Sequence, residues 1–386
     1  MNKTSLLGDD IVLISGQHVN SDAIADDEEG TPYLTGPTDF KLGRPNYTRR
    51  ATKAGAFCEK GDVLVVVKGS GTGAAFKSDN RYAIGRQLMA IRADSWHQDF
   101  VYHVVASNSS RYQAQATGLI PGISRDHILN TRFHSLTYNQ QSKIADILST
   151  WDEALAKLDA LVATKDRRKK ALMQQLLTGK KRFRAFGKKE WKRLRMNELL
   201  ERTFRPIEWS AEMSLSLISI RRRCGGLFRR PELLGSEYKT QDLHDLKAGD
   251  FLVSKRQVAH GAWAMVTPEF EGGHVSKEYA IFTNRAPDKL HMPFFAWLAQ
   301  TPRMIRLSRV ASTGVHIEKL IFDPAVFLRE SVRLPATLEE QQHIAAILDA
   351  ADQELTLLRK QRDALEQQKR GLMQRLLTGK IRVKTP

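Results

Sequence analysis

The chain has 386 residues, of which 41% are hydrophobic and 27% charged, so it is long enough for two to four domains with ordinary globular cores. A total of 60 Lys and Arg against 43 Asp and Glu gives a net charge of +17 and a pI near 9.8. This surplus favours a polyanionic partner, either nucleic acid or an anionic membrane, and leaves a basic surface without such a partner as the alternative.

Cysteine usage and hydropathy narrow the class of protein further. Cys58 and Cys224 lie in different halves without C-x-x-C spacing, which excludes a disulfide framework or a zinc ribbon and favours a reducing cytosol. No apolar run reaches the roughly 20 residues that a bilayer span needs. The first ten residues carry early acids and lack an apolar core of signal length. We therefore expect a cytoplasmic protein whose partner is nucleic acid.

The first predicted domain covers residues 1–138 and consists of short strand-like runs separated by Gly, Pro, Asn and Asp. "GDVLVVVKGSGTG" from Gly61 and "GRQLMAIRA" from Gly85 are its clearest strands. A basic turn and a glycine loop carry side chains suited to phosphates and base edges. The candidate DNA contacts of this domain are Arg44, Arg49, Arg50, Lys53, Lys68, Ser70, Thr72 and Lys77.

The glycine loop "KGSGTGAAF", residues 68–76, loosely matches a dinucleotide-binding G-x-G-x-x-A pattern. Such a site needs a following helix whose N-terminus holds the pyrophosphate. The residues that follow are polar and turn-rich, so we expect no cofactor here. The same glycines could bring backbone N–H groups close to a DNA phosphate.

Residues 139–183 read as one long helix with apolar residues at steps of 4 and 3, the spacing of two helices that wind around each other. We expect this helix to stop at Gly179. The joint that follows, "GKKRFRAFGKKEWKRLR", carries nine Lys or Arg against one Glu, with Phe183, Phe186 and Trp191 interleaved. It is typical of either a solvated linker or a DNA-binding segment.

The second predicted domain covers residues 184–338 and is again strand-like. "GDFLVSKRQVAHG" from Gly249 and "SKEYAIFTN" from Ser276 resemble the two strands of the first domain, though weakly. "ISIRRRCGGLFRR", residues 218–230, concentrates five arginines in a short window. The candidate DNA contacts of this domain are Arg221, Arg222, Arg223, Arg229, Arg230, Lys255, Arg256 and Gln257.

Catalytic motifs are sparse in the sequence. Glu237 and Lys239 form an E-x-K pair with Glu232 nearby, which is compatible with a nuclease but common by chance. "DPAV" at Asp323 lacks the second Pro and the aromatic residue of an amino-methyltransferase loop. The histidines, such as His260, show no paired ligand spacing, so we expect no metal site and no active site.

Residues 339–386 repeat the first helix. Positions 140–182 and 340–382 align without a gap and share about 18 of 43 residues, ending in "LMQQLLTGKKR" and "LMQRLLTGKIR". Each helix has an apolar stripe along its length that would be exposed to water if the helix were alone. We therefore expect the two helices to pack on each other. The predicted fold is α+β, with two globular domains alternating with two long antiparallel helices in pseudo-two-fold symmetry.

This organisation resembles the specificity subunits of type I restriction–modification systems. The resemblance covers the whole chain in organisation, and its specific motifs are "LPATLEEQQHIAAIL" and "LMQ-x-LLTGK-x-R" in the helices. It implies that each globular domain is a target recognition domain that reads one half of a split DNA site, and that the helices set the gap between the halves. The first domain departs from the family pattern in lacking a counterpart of Trp191.

The resemblance also implies partners. Two adenine methyltransferase subunits would dock on the helices, a motor-endonuclease subunit would join them, and AdoMet, ATP and Mg²⁺ would belong to these partners. The chain itself would be a non-catalytic subunit that binds double-stranded DNA. Two alternatives stay open at this stage, a metal-dependent single-chain nuclease that uses Glu232, Glu237 and Lys239, and a stand-alone DNA-binding regulator. Leu161 and Leu357, on the side of the helices that we expect to be exposed, favour a docking surface over the regulator, and the alternative is that they widen the core between the helices.

Overall fold

The computed structural model describes residues 4–25, 29–41, 43–69, 71–116, 121–187 and 189–384, without the side chain of Arg44. The chain forms two compact units of mixed helix and strand, as the α+β prediction requires. Unit 1 comprises Met1–Val162 and Leu358–Pro386, and unit 2 comprises Ala163–Leu357. The division passes through both predicted long helices, so each helix contributes one part to each unit. The four-segment division of the sequence stays a prediction.

Two helices are much longer than the others, with 39 and 40 residues. In chain order the helices are α1 (Gln98–Ser107), α2 (Ser109–Gln115), α3 (Arg125–Leu129), α4 (Tyr138–Leu176), α5 (Met196–Leu199), α6 (Met292–Ala299), α7 (Pro302–Val310), α8 (Pro324–Arg329) and α9 (Leu338–Leu377). The prediction of two long repeated helices is confirmed by α4 and α9. Over the described ranges, no helix combines the length and the hydropathy that a bilayer span requires.

Both long helices end as the repeated phrase predicts. Gly179 and Gly379 lie just past the last helical residue with φ of +71° and +72°, in the left-handed region where a residue without Cβ costs least. The N–H of Lys181 then donates to the carbonyl oxygen of Gln175 at 3.1 Å, which satisfies one of the free carbonyls at the end of α4. Each helix is therefore closed by the same turn.

The strands of unit 1 form two sheets and two short ladders. The four-stranded antiparallel sheet has the order Ala75–Lys77, Val63–Val66, Leu88–Ala93, Ile11–Ser15. The five-stranded sheet has the order Ile24–Ala25, Arg49–Ala51, Thr31–Leu34, Tyr82–Ile84, Phe57–Cys58. The ladders pair Thr4–Leu6 with Arg132–His134, and Phe40–Lys41 with Arg44–Pro45.

The strands of unit 2 form one sheet and several hairpin-like pairs. The four-stranded antiparallel sheet has the order Trp263–Met265, Phe251–Ser254, Tyr279–Asn284, Leu200–Thr203. The pairs are Lys192–Arg195 with Ser331–Leu334, Ser214–Leu215 with Leu233–Leu234, Ile218–Ile220 with Leu227–Arg229, Leu243–Asp245 with His274–Ser276, and Ser312–Thr313 with Ile321–Phe322.

The four-stranded sheets show that the two predicted globular domains share one plan. In both, the strand that follows the Gly-Asp signature is central and pairs with the second predicted strand. The aspartate of each signature is buried and accepts two hydrogen bonds from one arginine, Asp62 from Arg92 and Asp250 from Arg205. A buried carboxylate requires such a partner, which explains why Gly-Asp occurs in both copies.

Each unit packs parts of both long helices against its sheet in one hydrophobic core. The core of unit 1 includes Ile144, Leu148 and Leu376 with Phe100 and Phe133, and the core of unit 2 includes Ile344, Leu348 and Leu176 with Phe294 and Phe327. Within each unit the two helix segments run antiparallel and are joined by an ion pair. Lys369 pairs with Asp152 in unit 1, and Lys169 pairs with Asp352 in unit 2. The predicted packing of the helices on each other is thus confirmed within each unit.

A buried glutamine near the start of each long helix ties that helix to its unit. Gln341 Oε1 accepts from the N–H of His291 at 2.9 Å, and its Nε2 donates to the carbonyls of Lys289 and Pro335. Gln141 repeats the contact by accepting from the N–H of His97 at 3.0 Å. The glutamine common to both copies therefore ties the start of each long helix to the residue that begins a shorter helix, His97 before α1 and His291 before α6.

We expect Gln341→Leu to lower the free energy of unfolding by roughly 2–4 kcal/mol, because it leaves buried backbone groups of Lys289, His291 and Pro335 without partners. Urea unfolding followed by circular dichroism measures the loss. The matched control is Gln368→Leu on the exposed face of the same helix, which should change the stability by less than about 0.5 kcal/mol. Equal losses in the two variants would contradict the tying role.

The missing counterpart of Trp191 has a structural replacement in unit 1. In unit 2 the ring of Trp191 lies against Gly179. Its Cε2 atom is 3.3 Å from the position that a Cβ on Gly179 would take. In unit 1 the ring of His134 lies over Gly379, with its Cδ2 atom 2.6 Å from the position that a Cβ on Gly379 would take. The strand Thr4–Leu6 still pairs with Arg132–His134, as Lys192–Arg195 pairs with Ser331–Leu334. The departure from the family pattern is therefore a substitution of one ring by another.

Candidate nucleic-acid interface

The basic turn of unit 1 contains a strand that lies inside the five-stranded sheet. Arg49 and Lys53 are exposed, and neither side chain is tied to the fold by a described hydrogen bond. Arg50 is half-buried, and its Nε donates to the carbonyl oxygen of Gly30 at 3.0 Å. Arg49 and Lys53 are therefore the cations of this turn that can reach an anion without losing an internal contact. The Arg44 side chain lies outside the described structure.

The glycine loop of unit 1 returns to the sheet as the strand Ala75–Lys77, so the helix that a dinucleotide site needs is replaced by a strand. Lys68 is exposed, and Ser70 lies outside the described residues. Thr72 is only 3% exposed, and its hydroxyl donates to the carbonyls of Gly69 and Pro121. The hydroxyl of Thr72 is thus used to hold the loop closed, and its contact with DNA stays a prediction.

Lys77 lies at the end of that strand and faces α1. Its Nζ is 2.8 Å from Asp99 Oδ1 and 5.0 Å from the ring centroid of Tyr102. Both contacts draw the ammonium group toward α1. The first role of Lys77 is thus to join strand and helix. Among the predicted contacts of unit 1, Lys68, Arg49 and Lys53 are exposed and have no described side-chain partner.

In unit 2 the arginine-rich window forms the antiparallel hairpin Ile218–Ile220 with Leu227–Arg229. Most of its arginines are engaged by the fold. Arg221 donates to the carbonyl oxygen of Leu227 at 2.9 Å and lies over Phe228, Arg229 lies over Phe270, and Arg230 lies over Tyr238. These guanidiniums stack on rings along the hairpin and keep their charge at the surface.

The turn of this hairpin lies against the segment that contains Gln257. The backbone N–H of Arg223 donates to the carbonyl oxygen of His260 at 2.7 Å, and that of Cys224 to Gly261 at 2.8 Å. Arg222 Nε donates to Gln257 Oε1. A cleft of 390 Å³ opens beside the turn, lined in part by Arg222, Arg223, His260 and Arg309. The structure therefore brings together three of the predicted contacts, Arg222, Arg223 and Gln257.

Lys255 belongs to a second basic cluster of unit 2. It lines a small cleft with Arg202 and Lys277. Burial and then the charge of Arg202 lower the pKa of Lys255. A cation held beside other cations and partly shielded from water is stabilised when an anion such as a phosphate approaches. Arg256, by contrast, is exposed and paired with Glu278.

Sequence reasoning missed four residues of this surface, Arg202, Lys277, Arg309 and Glu318. Glu318 is the informative one, because it places a carboxylate 3.3 Å from Arg222 Nη2 and 3.0 Å from His260 Nε2. No local signal marks these residues, since each is a single charged residue in an unremarkable stretch. Only folding brings Arg309 and Glu318 beside the arginine hairpin, and Arg202 and Lys277 beside Lys255.

The aromatic residues of the basic joint are part of the fold. The rings of Phe183 and Phe186 pack on each other and on His343 of α9. Trp191 is buried, and its Nε1 donates to Glu340 Oε1 at 3.3 Å. The rings are thus engaged within the fold, while the exposed lysines of the joint keep their charge at the surface, and both interpretations of the joint, a solvated linker or a DNA-binding segment, stay predictions.

Two residues of the catalytic motifs considered in the sequence have local roles, Glu237 of the E-x-K pair and Asp323 of the "DPAV" segment. Glu237 Oε2 accepts from the N–H of Leu234 at 2.8 Å and caps a short 3₁₀ turn. Asp323 accepts from the N–H of Ala325 and begins α8. Across the ranges that the structure describes, no three His, Cys, Asp or Glu side chains come together as metal ligands.

Comparison with known proteins extends the resemblance to the full length of the chain. No protein-family model matches it. The chain is 22% identical to the type I restriction enzyme MjaVIII specificity subunit of Methanocaldococcus jannaschii, over 98% of this chain and 92% of that protein. It is 47% identical over 57 residues to the putative type I restriction enzyme MjaX specificity subunit of the same organism, which is 14% of this chain and 13% of that one.

Solved structures show that the fold is shared. The S subunit of a type I restriction–modification system from M. genitalium matches with a TM-score of 0.63 and 15% identity, over 97% of this chain and 96% of that one. A chain from a study of complex assembly and conformational transition of the type I R-M system matches with a TM-score of 0.57 and 15% identity, over 98% of each. The resemblance stated from the repeated helices is confirmed by these matches.

Proposed function

We propose that this chain is the DNA-specificity subunit of a type I restriction–modification complex. The observation that carries the proposal is the duplicated plan, in which each unit joins a basic globular part to an antiparallel pair of helix segments. Side chains that hold this scaffold are the same in both units, such as Gln141 and Gln341, whereas the DNA-facing loops differ. A constant scaffold with two different reading surfaces is what recognition of a bipartite duplex site requires.

The proposed reading mechanism follows from charge and length. Exposed cations of each unit, such as Arg49 in unit 1 and Lys277 in unit 2, bind phosphates and set the register on the duplex. Side chains on the same surfaces then reach base edges in the major groove. Helices of 39 and 40 residues, about 58–60 Å long at 1.5 Å per residue, are long enough to separate two half-sites one helical turn, about 34 Å, apart.

The reaction itself is assigned to partner subunits in this proposal. Two adenine methyltransferase subunits methylate one adenine in each half-site, and motor-endonuclease subunits cut unmethylated DNA. AdoMet, ATP and Mg²⁺ are cofactors of those partners, and this chain is non-catalytic. The strand that replaces a helix after the glycine loop supports this assignment, because it leaves that loop without a dinucleotide-binding geometry. The cytoplasm is the proposed location of the complex.

Exposed leucines on the long helices support the docking of the methyltransferase. Leu357 is 65% exposed on α9 in unit 2, and Leu161 is 41% exposed on α4 in unit 1. We expect Leu357→Asp to release the methyltransferase subunit, because a charge buried at an interface costs several kcal/mol when it is unpaired. Co-purification of the two subunits measures the effect.

The control for Leu357→Asp is Leu234→Asp, which charges a 49%-exposed leucine on a strand of the globular part. Circular dichroism should show both variants folded, since neither leucine is in the core. Loss of the methyltransferase from the Leu357 variant alone supports docking on this flank. Undiminished co-purification of that variant would show that the methyltransferase binds elsewhere.

The direct biochemical test of the proposal is reconstitution. The purified chain is mixed with a methyltransferase subunit from the same host, random-sequence duplexes and labelled AdoMet. We expect label to enter a subset of duplexes that share a split motif, and no label when either protein is omitted. Cutting of DNA by this chain alone with Mg²⁺ would instead support the nuclease alternative.

A further inference from the structure

Three loops of unit 2 that are far apart in sequence meet at the guanidinium group of Arg222. Arg222 is in the turn of the arginine hairpin, Gln257 precedes a 3₁₀ turn, and Glu318 is in the loop between Ser312–Thr313 and Ile321–Phe322. Arg222 Nε donates to Gln257 Oε1, and Nη2 donates to Glu318 Oε2 at 3.3 Å. The guanidinium is therefore held at Nε and at Nη2 by two acceptors.

The backbone around this guanidinium is held by several contacts. Arg223 and Cys224 both have left-handed backbone conformations, with φ of +59° and +54°, which cost a residue with Cβ of order 1 kcal/mol or more each. Their N–H groups are bound to the carbonyls of His260 and Gly261. His260 Nε2 in turn lies 3.0 Å from Glu318 Oε1. The turn, the 3₁₀ segment and the Glu318 loop are thus tied into one unit around Arg222.

The side-chain contacts of Arg222 differ from those of three other arginines in the hairpin. Arg221, Arg229 and Arg230 each lie over an aromatic ring of their own surroundings, and two of them donate to backbone carbonyls. Arg222 is half-exposed, and its Nη1 forms no hydrogen bond to another part of the described chain. The edge of the guanidinium that carries Nη1 is the one that remains available to an external acceptor.

Glu318 decides which kind of acceptor fits. A carboxylate 3.3 Å from Arg222 repels a DNA phosphate, so this arginine is poorly suited to a backbone contact. The O6 and N7 atoms of guanine are neutral acceptors in the major groove, and they match the parallel N–H groups of Nη1 and Nη2, because Nη2 has a second hydrogen besides the one that it donates to Glu318. A carboxylate behind the guanidinium leaves that interaction intact and restricts the rotation of the side chain.

We infer that Arg222 reads one guanine in the half-site of unit 2, with Glu318 and Gln257 as positioning residues that orient its guanidinium. The inference rests on the proposed function, and it names the base reader among the five arginines of the hairpin. Glu318 adds specificity at the expense of affinity, because its negative charge weakens attraction to any DNA.

The test measures the binding of the complex of this chain with its methyltransferase to duplexes that contain the methylated motif. Each base pair of the unit 2 half-site is replaced in turn, and a motif-free duplex reports non-specific binding. We expect the wild-type complex to lose roughly 10- to 100-fold in affinity when one particular G·C pair is replaced. Arg222→Ala should bind the motif and that replaced duplex equally.

Glu318→Ala separates positioning from simple structural support. It should lower discrimination at the same G·C pair, at least 3-fold, while it raises affinity for the motif-free duplex. The matched control is Glu278→Ala, which removes an exposed carboxylate from Arg256 and should raise non-specific affinity with discrimination unchanged. Arg222→Lys keeps the charge but lacks the two parallel donors, and it should lose discrimination like Arg222→Ala.

Two results would overturn the inference. A uniform loss of affinity on all duplexes in Arg222→Ala would make Arg222 a phosphate contact. If Arg222→Ala still discriminates at every G·C pair, another residue reads the guanine. Failure of the proposed function gives a different result. The wild-type complex itself would then bind all duplexes without sequence preference.

Discussion

Arg182→Met is expected to destabilise the protein by about 3–5 kcal/mol, the range for a buried carboxylate that loses its cation. Glu340 is only 1% exposed and accepts two hydrogen bonds from Arg182, at 2.9 and 2.7 Å, and a third from Trp191. Arg182 is the last residue of the repeated phrase, just after the end of α4, and Glu340 lies in the first turn of α9. Removal of the guanidinium leaves the charge buried where the two helices meet.

A double variant tests this explanation. Arg182→Met combined with Glu340→Gln removes the charge together with its partner, so it should recover most of the stability that the single variant loses. Lys170→Met is the control on the same helix, because it breaks an exposed ion pair with Asp166 and should cost less than about 1 kcal/mol. Urea unfolding provides all values. A single-variant loss below 1 kcal/mol would show that Glu340 is stabilised without Arg182.

The second large effect concerns the DNA target. We expect the insertion of one heptad into both long helices, after Val162 and after Leu357, to abolish methylation of the original motif and to favour sites with a longer gap. Seven helical residues add about 10 Å, which equals roughly three base pairs at 3.4 Å each. A heptad nearly preserves the helical face, so the apolar stripe stays continuous.

Insertion into one helix alone is the control. Asp152 and Lys169 are 17 positions apart on α4, as are Asp352 and Lys369 on α9, and each ion pair forms within its own unit. A single insertion makes these spacings unequal, so both pairs cannot form together, and we expect loss of stability and of all methylation. Sequencing of methylated sites reads the outcome. An unchanged gap in the double insertion would show that the helices do not set the spacing.

The sequence predicts the scaffold well because its signals are local and repeated. The stripe around Leu148 and Leu348 and the stops at Gly179 and Gly379 depend only on helical periodicity and on backbone conformation. The Gly-Asp strands are found for the same reason. The repeat itself adds an independent constraint, since two segments with the same pattern must solve the same packing problem.

The candidate site was harder to predict because charge alone does not show which groups are already engaged. Thr72 looks like a loop hydroxyl in the sequence, but a contact with Pro121 across the chain closes it off. The arginines of the hairpin look alike, and only the aromatic rings and Glu318 near them in the fold tell them apart. Several of these distinctions depend on contacts between residues far apart in the chain, such as Thr72 with Pro121 and Arg222 with Glu318, for which a single sequence carries no signal.

The most direct measurement of the central claim is a map of base modifications across the host genome, with and without the gene for this chain. The proposed function predicts that one split motif, with N6-methyladenine in both halves and a fixed gap, disappears when the gene is removed and returns when it is restored. Adenine methylation that is identical in both strains, although the chain and a methyltransferase subunit are both produced, would contradict the assignment as a specificity subunit.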